Sequence, residues 1–177
     1  MAIGRHKQLS SATSSILLGT SGLTLAAIAA LALAYSRSAV AGEHVAKVRR
    51  IACVTVVVQA GHFGEEYLQQ FFVHFPILLG LEPWSEGFFV SFNVAWLTAW
   101  VLAIVSLAKF PRLAAFPLWF LAIASVANGV THPVLSLVVG GYFPGLWSSP
   151  LVGILGVVLV SRLISATRKM DSQHGVV

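Results

Sequence analysis

Charged residues are scarce in this chain, and acidic residues are the scarcest. Only 10% of the 177 residues are charged, and the single aspartate, Asp171, lies in the polar C-terminal tail. Because soluble domains carry roughly 25% charged residues, water is not the solvent for most of this surface. The lone aspartate also excludes a buried dyad of aspartates.

Cysteine is nearly missing, and the common phosphate-binding and nucleophile motifs are missing altogether. The one cysteine, Cys53, cannot form an intrachain disulfide, and its apolar surroundings predict a buried side chain. The chain has no glycine-rich phosphate loop and no G-x-S-x-G elbow. The net charge of +5 comes from basic residues at the ends of apolar runs. That placement is typical of topology signals facing lipid headgroups, so we expect no nucleic-acid partner.

Apolar residues are abundant, at 57% of the composition with a mean hydropathy of +0.85. They form long continuous runs rather than the short alternating strands of a barrel. Each run reaches the ~20 residues that cross a ~30 Å hydrocarbon core. We therefore predict an all-α polytopic transmembrane helix bundle, a single domain with tails at 1–11 and 169–177. The five predicted spans cover about 12–35, 46–76, 86–108, 112–138 and 147–168.

Basic residues predict the orientation of these spans in the cell membrane. Nine of the 11 Lys and Arg residues lie in the connection 37–50, in the loop 109–112 and at the C-terminal end. The positive-inside rule then places the N-terminus outside and the C-terminus inside. An alternative makes the first span a signal peptide cleaved near Ser38–Ala41, although its apolar region is long for that role.

The second span contains an unusual polar segment around His62. Glu65 and Glu66 follow at i+3 and i+4, so all three side chains share one helix face, and Gln70 and His74 are predicted to extend this stripe. An unpaired carboxylate inside a bilayer costs several kcal/mol. We therefore expect at least one glutamate to be protonated, metal-bound or paired with His62.

Two other spans offer polar partners for this segment. Asn128 and His132 are i and i+4 on the fourth span, and Asn93 lies on the third, a turn or two from Trp96 and Trp100. At 1.5 Å per residue, all these polar groups reach the outer half of the bilayer. Such residues can also serve only as interhelical hydrogen bonds worth about 0.6–2 kcal/mol, and for His132 alone that structural role is the favoured interpretation.

The connection 140–150 lies on the same side of the membrane and is predicted to cap this site, with Tyr142 in it. Its Y-x-P-G string, the H-x-x-E-E string at His62 and the N-x-x-x-H string ending at His132 resemble the HXXEE family of small bacterial membrane proteins. The resemblance covers about residues 48–165. It implies a multi-span membrane protein and a site, but no agreed activity.

Two chemistries fit these residues. In one, His62, His132 and either Glu65 or Glu66 bind iron or zinc, with Glu66 the first choice, and the two asparagines orient the ligands. In the other, no cofactor is needed and the site performs acid–base isomerisation or cyclisation of an isoprenoid- or lipid-like substrate, with tryptophan faces stabilising a carbocation. The metal-free version is slightly favoured because no full ligand set is spelled out in the sequence. The predicted catalytic residues are His62, Glu65, Glu66, Asn128 and His132, and the predicted substrate-binding residues are Asn93, Trp96, Trp100 and Tyr142.

Two non-enzymatic roles stay open at this point. Glutamates and histidines could line a proton or cation path, although secondary transporters commonly show internal repeats and this chain shows none. The second non-enzymatic role is that of a membrane subunit that binds lipid or protein and has a structural polar core. The lipid bilayer is the partner common to all these interpretations.

Overall fold

The computed structural model describes residues 13–168, which are all-α with no β-strand in that range. The predicted all-α class is therefore confirmed, while the predicted tails 1–11 and 169–177 lie outside the described residues. Seven helices follow one another in this part of the chain: α1 (Thr13–Gly19), α2 (Ser21–Ser36), α3 (His44–Leu68), α4 (Phe71–Leu78), α5 (Glu86–Ser106), α6 (Pro111–Val139) and α7 (Ser149–Ala166).

Apolar helices of membrane-crossing length make this a membrane protein in contact with the lipid bilayer. Among the described residues, α5, α6 and α7 are long and apolar enough to cross by themselves. Helices α1 and α2 qualify only together, with a bend of 54° between them, so the count is three or up to four. It does not reach the predicted five because α3, although 25 residues long, is too polar to qualify by composition.

Helix α6 is the centre of the bundle and packs against α7, α2 and α5. Pro111 begins the helix, where its missing N–H costs no hydrogen bond, and Gly140 ends it in the left-handed conformation. Large apolar side chains from its first half, including Leu118, Trp119 and Phe120, are fully buried. The packing of α6 against α7 positions the residues that α6 contributes to the site described below.

Glycines let α6 and α7 approach until their backbones touch. A Cβ added to Gly153 would lie 2.8 Å from the Cα of Gly129, closer than any side chain tolerates, so small residues are required at this crossing. We expect Gly153→Ala to lower the stability by about 1–3 kcal/mol through overpacking, measured by thermal unfolding in detergent. Gly61→Ala is the matched control, since a Cβ there meets nothing within 4 Å. Equal stability of the two variants would contradict this account.

The predicted second span, 46–76, is wrong as a continuous helix. It breaks at Gln70, whose φ of 54° makes it the one non-glycine residue with a positive φ in the described range. After the break, the phenylalanines of α4 pack on α5 and on the loop that precedes α5. The ring pairs are Phe71–Phe89, Phe72–Phe89 and Phe75–Trp84.

This aromatic packing diverts the chain, so Gln70 and His74 do not continue the polar stripe that was predicted for them. His74 is exposed instead. Cys53 was predicted to be buried and is also exposed, because it lies on an outward face of α3. Its apolar neighbours Val54 and Val57 are exposed as well and do not belong to the core.

The predicted first span, 12–35, is bent at Thr20, between α1 and α2. The indole of Trp84 lies against Gly19, where a Cβ would overlap it. Helix α2 packs along α6 and buries Ala26 and Ala30. The chain after α2 is held to the end of α7, where the Ser38 N–H donates to the Arg168 carbonyl at 2.8 Å. This segment is thus an integrated part of the bundle.

Candidate functional site

Two histidines from different helices converge on one glutamate. Helix α3 supplies His62 and Glu66 at i and i+4, and α6 supplies His132. The Nε2 atoms of His62 and His132 lie 3.6 and 3.3 Å from the same oxygen, Oε1 of Glu66. The three residues are 0%, 2% and 7% exposed, in the order His62, His132, Glu66. Polar atoms packed this tightly away from water need a specific partner.

The outer hydrogen bonds decide which ring nitrogens carry protons. His132 Nδ1 lies 2.6 Å from the carbonyl of Pro144, which can only accept, so Nδ1 donates. Ser148 Oγ donates to Glu65 at 2.5 Å, so it accepts from His62 Nδ1 at 2.7 Å. In the neutral rings, both Nε2 atoms therefore direct lone pairs toward Glu66.

Glu65 does not join this cluster, although it was predicted to act with its neighbour. Adjacent residues on a helix point about 100° apart, and Glu65 faces the start of α7. It accepts hydrogen bonds from the backbone N–H groups of Trp147 and Ser148 at 3.0 and 2.9 Å, and from Tyr142 Oη at 2.8 Å. A carboxylate beside a helix N-terminus is electrostatically favourable. Glu65 thus ties α3 to the connection between α6 and α7.

Tyr142 was predicted to bind substrate, and the structure places it at Glu65 instead. Partial burial and the hydrogen bond to the negative Glu65 carboxylate raise the pKa of Tyr142 to about 12. The phenol therefore stays a hydrogen-bond donor at any physiological pH.

The connection between α6 and α7 closes over both imidazoles. Gly145, with a φ of +90°, lies so close to the rings that an added Cβ would overlap His132 and come within 3.0 Å of His62. The Phe143 N–H donates to Ser136 Oγ at 3.2 Å and holds the connection to α6. The connection 140–150 was predicted to cap the polar site, and its contacts with both histidines show that it lies over them.

A cavity of about 400 Å³ lies beside the cluster. Glu66 and His132 contribute to its wall, whereas His62 and Glu65 do not. Most of the remaining wall is aromatic or aliphatic. The predicted residues Asn93, Trp96, Trp100 and Asn128 all line it, together with Phe71, Phe75, Trp84, Phe88, Phe89, Phe92 and Phe120.

Sequence reasoning missed three parts of this site. Ser148 and the Pro144 carbonyl hold the two imidazoles, and Gly145 packs on both rings. A backbone carbonyl carries no side-chain signature, so Pro144 could not be identified. Ser148 could have been placed at the start of α7, because a serine just before a helix that carries proline in its first turn is typical there. Its hydrogen bond to His62 is a tertiary contact that has no local signal.

Comparison of this chain with protein-family models, with curated proteins and with solved structures finds no match.

Proposed function

We propose that this protein is a multi-pass enzyme of the cell membrane that isomerises or cyclises an apolar isoprenoid- or lipid-like molecule. One observation carries the proposal: the buried cluster of His62, Glu66 and His132 adjoins an aromatic cavity of about 400 Å³. Ligand sites in proteins commonly have volumes of about 300–1,000 Å³ and place a few polar groups in an apolar wall.

The membrane arrangement in this proposal has five spans, with α1 and α2 together as the first and α3 as the second. Two properties support counting α3 as a membrane span. It is 25 residues long, enough for about 37 Å, and it packs against α5, α6 and α7, which are apolar enough to cross. Its ionisable residues His62 and Glu66 face the bundle interior, as intramembrane ionisable groups do. The distribution of Lys and Arg then places the N-terminus outside and the C-terminus inside.

The composition of the cavity wall supports an apolar substrate. Glu66 is the one carboxylate and His132 the one imidazole among its described residues, and no Lys or Arg lines it. A molecule with an anionic headgroup would find no cationic counter-charge there. The indole rings of Trp96 and Trp100 lie 6.0 Å apart in this wall. Their faces can stabilise a positive charge that develops on a hydrocarbon.

Proton transfer is the chemistry that these groups can perform on such a molecule. Glu66 and His132 both reach the cavity, and Glu66 Oε1 lies 3.3 Å from His132 Nε2. A proton is added to one carbon of a double bond, a second proton leaves a neighbouring carbon, and the double bond moves with no net change in atoms. One group donates and the other accepts. His62 does not line the cavity, and its contact with Glu66 positions that side chain.

The three strings of the HXXEE resemblance meet at this site, which supports the proposal that the chain belongs to that family. His62, Glu66 and His132 form the cluster, Glu65 accepts from Tyr142, and Gly145 packs on both imidazoles. Residues from three separate parts of the sequence therefore contribute to one site.

Solvent deuterium measures the proposed reaction directly. Purified protein in nanodiscs is incubated in D₂O with isoprenoid alcohols and sterol-like alkenes, and mass spectrometry follows deuterium incorporation. Glu66→Gln is expected to slow incorporation by about 10²–10⁴-fold, the usual contribution of a general acid or base. His74→Ala is the control because His74 is exposed on α4. Failure of the wild type to bind any panel member, seen by tryptophan quenching, or full exchange in Glu66→Gln, would contradict the proposal.

A further inference from the structure

We propose that His62 Nε2, His132 Nε2 and Glu66 Oε1 bind one divalent transition-metal ion. This inference rests on the site of the proposed function and names an ion for the polar end of the cavity. Since the ion would take the lone pairs of Glu66 Oε1 and His132 Nε2, direct proton transfer by these two groups belongs to the ion-free site. These three atoms lie within 4.8 Å of one another, and all three residues are buried. They come from α3 and α6, so the set exists only in the folded bundle.

The spacing of the atoms fits a metal site. Ligands about 2.0–2.1 Å from a tetrahedral zinc ion lie roughly 3.3–3.5 Å from one another. The distances from Glu66 Oε1 to the two imidazoles are 3.3 and 3.6 Å. These separations are longer than a good hydrogen bond between nitrogen and oxygen. Both separations are therefore close to those of two ligands on one zinc ion.

The proton positions give a second, independent reason. Both imidazoles donate from Nδ1, His62 to Ser148 and His132 to the Pro144 carbonyl. Histidines that bind metals almost always donate their other N–H to an oxygen in this way, which fixes the ring and its tautomer. The two rings also lie edge to face at 4.7 Å, so their Nε2 atoms can approach one centre from different directions.

The nitrogen lone pairs that lack a hydrogen-bond donor give the third reason. His62 Nε2 is fully buried and has no hydrogen-bond partner within residues 13–168. Two imidazole lone pairs and a carboxylate oxygen face one another, and a single proton on Glu66 satisfies only one of the two nitrogens. An unsatisfied buried polar atom costs about 1–3 kcal/mol. A divalent cation satisfies all three groups at once.

The ligand types narrow the choice of ion. Two imidazoles and one carboxylate, with no sulfur, suit zinc or non-haem iron. Three protein ligands also leave a coordination position open, as catalytic rather than structural sites do. Since Glu66 and His132 also line the cavity, a molecule bound there lies next to the ion. A bound ion would supply Lewis-acid chemistry to a polar group of that molecule.

Cobalt titration tests the site without requiring a known substrate. Chelator-treated wild-type protein in detergent is titrated with Co²⁺, and bound metal is followed by visible absorption and by mass spectrometry. We expect one equivalent per chain, displaced by Zn²⁺. His62→Ala and the near-isosteric Glu66→Gln are expected to weaken binding more than about 100-fold, beyond the usual cost of losing an outer-shell group. His74→Ala is expected to bind like the wild type.

The outcomes separate this inference from the proposed function. A folded wild type that takes up neither Co²⁺, Zn²⁺ nor Fe²⁺, or binding unchanged in Glu66→Gln, overturns the metal site. If the chelated protein then still exchanges deuterium into an isoprenoid, the proposed function stands and the cluster works with protons alone. Stoichiometric metal in a protein that binds no apolar ligand supports the metal site and contradicts the proposed function.

Discussion

Replacing Gly145 with alanine is expected to weaken Co²⁺ binding at least about tenfold, the lower end of the effect of disturbing the groups that hold metal ligands. The new Cβ would overlap the His132 ring, and it would approach His62 as well. Both imidazoles are buried and are held by hydrogen bonds through Nδ1, so moving either ring aside is costly. The residue also has a φ of +90°, which alanine rarely adopts. Together these effects should cost about 2–4 kcal/mol of stability.

The same connection provides a matched control. Gly141 is exposed, and a Cβ there meets nothing within 4 Å, so Gly141→Ala should bind Co²⁺ and unfold thermally like the wild type. Both variants are measured by Co²⁺ titration and by thermal unfolding with and without the ion. If Gly145→Ala matches Gly141→Ala in both measurements, the connection does not hold the imidazoles and this account of the site is wrong.

Removing the carboxylate of Glu65 is expected to have the second large effect, and on stability rather than chemistry. Glu65→Ala leaves the N–H groups of Trp147 and Ser148 without their acceptor and frees the Tyr142 hydroxyl. Hydrogen bonds to a charged group contribute about 1.5–3 kcal/mol each, and partial exposure reduces this. We expect a loss of about 2–4 kcal/mol, measured by thermal unfolding in detergent.

An exposed hydrogen bond between a tyrosine and a glutamate provides the control for that measurement. Glu86 accepts a hydrogen bond from Tyr67 at 2.7 Å on the protein surface. Glu86→Ala should cost no more than about 1 kcal/mol, because exposed partners exchange the bond for water and the helix-terminal charge contributes little. Hydrogen–deuterium exchange should increase at 141–148 in Glu65→Ala alone. Unchanged exchange in this connection would contradict the tie between α3 and α7.

The long apolar runs and the helical spacing of polar residues made the class of fold and the polar cluster predictable. The i, i+4 spacing placed His62 and Glu66 on one face, and the same spacing selected His132. Spacing could not separate Glu65 from Glu66, because both positions lie within reach of His62 on an ideal helix. Only the arrival of α7 beside α3 decides that Glu65 binds backbone N–H groups there.

The break at Gln70 escaped prediction for a related reason, and so did the finding that α3 is not apolar enough to be counted as a span by composition. The residues around Gln70 are apolar enough to continue a span, and the turn is favoured by aromatic contacts with Phe89 and Trp84, which are tertiary. Helix α3 carries more charged residues than α5, α6 or α7, yet its buried face packs within the bundle. In both cases neighbouring helices, rather than local sequence, decide the structure.

The proposed ligand set joins parts of the chain that are 70 residues apart, from His62 on α3 to His132 on α6. Ion occupancy and docking of α3 onto the bundle are therefore thermodynamically linked. Free ion at a hundredfold excess over its dissociation constant adds about 2.7 kcal/mol to the folded state, if the unfolded chain does not bind it. Metal supply during membrane insertion would then shift the balance between docked and undocked α3 toward the docked state, and chelation would shift it back.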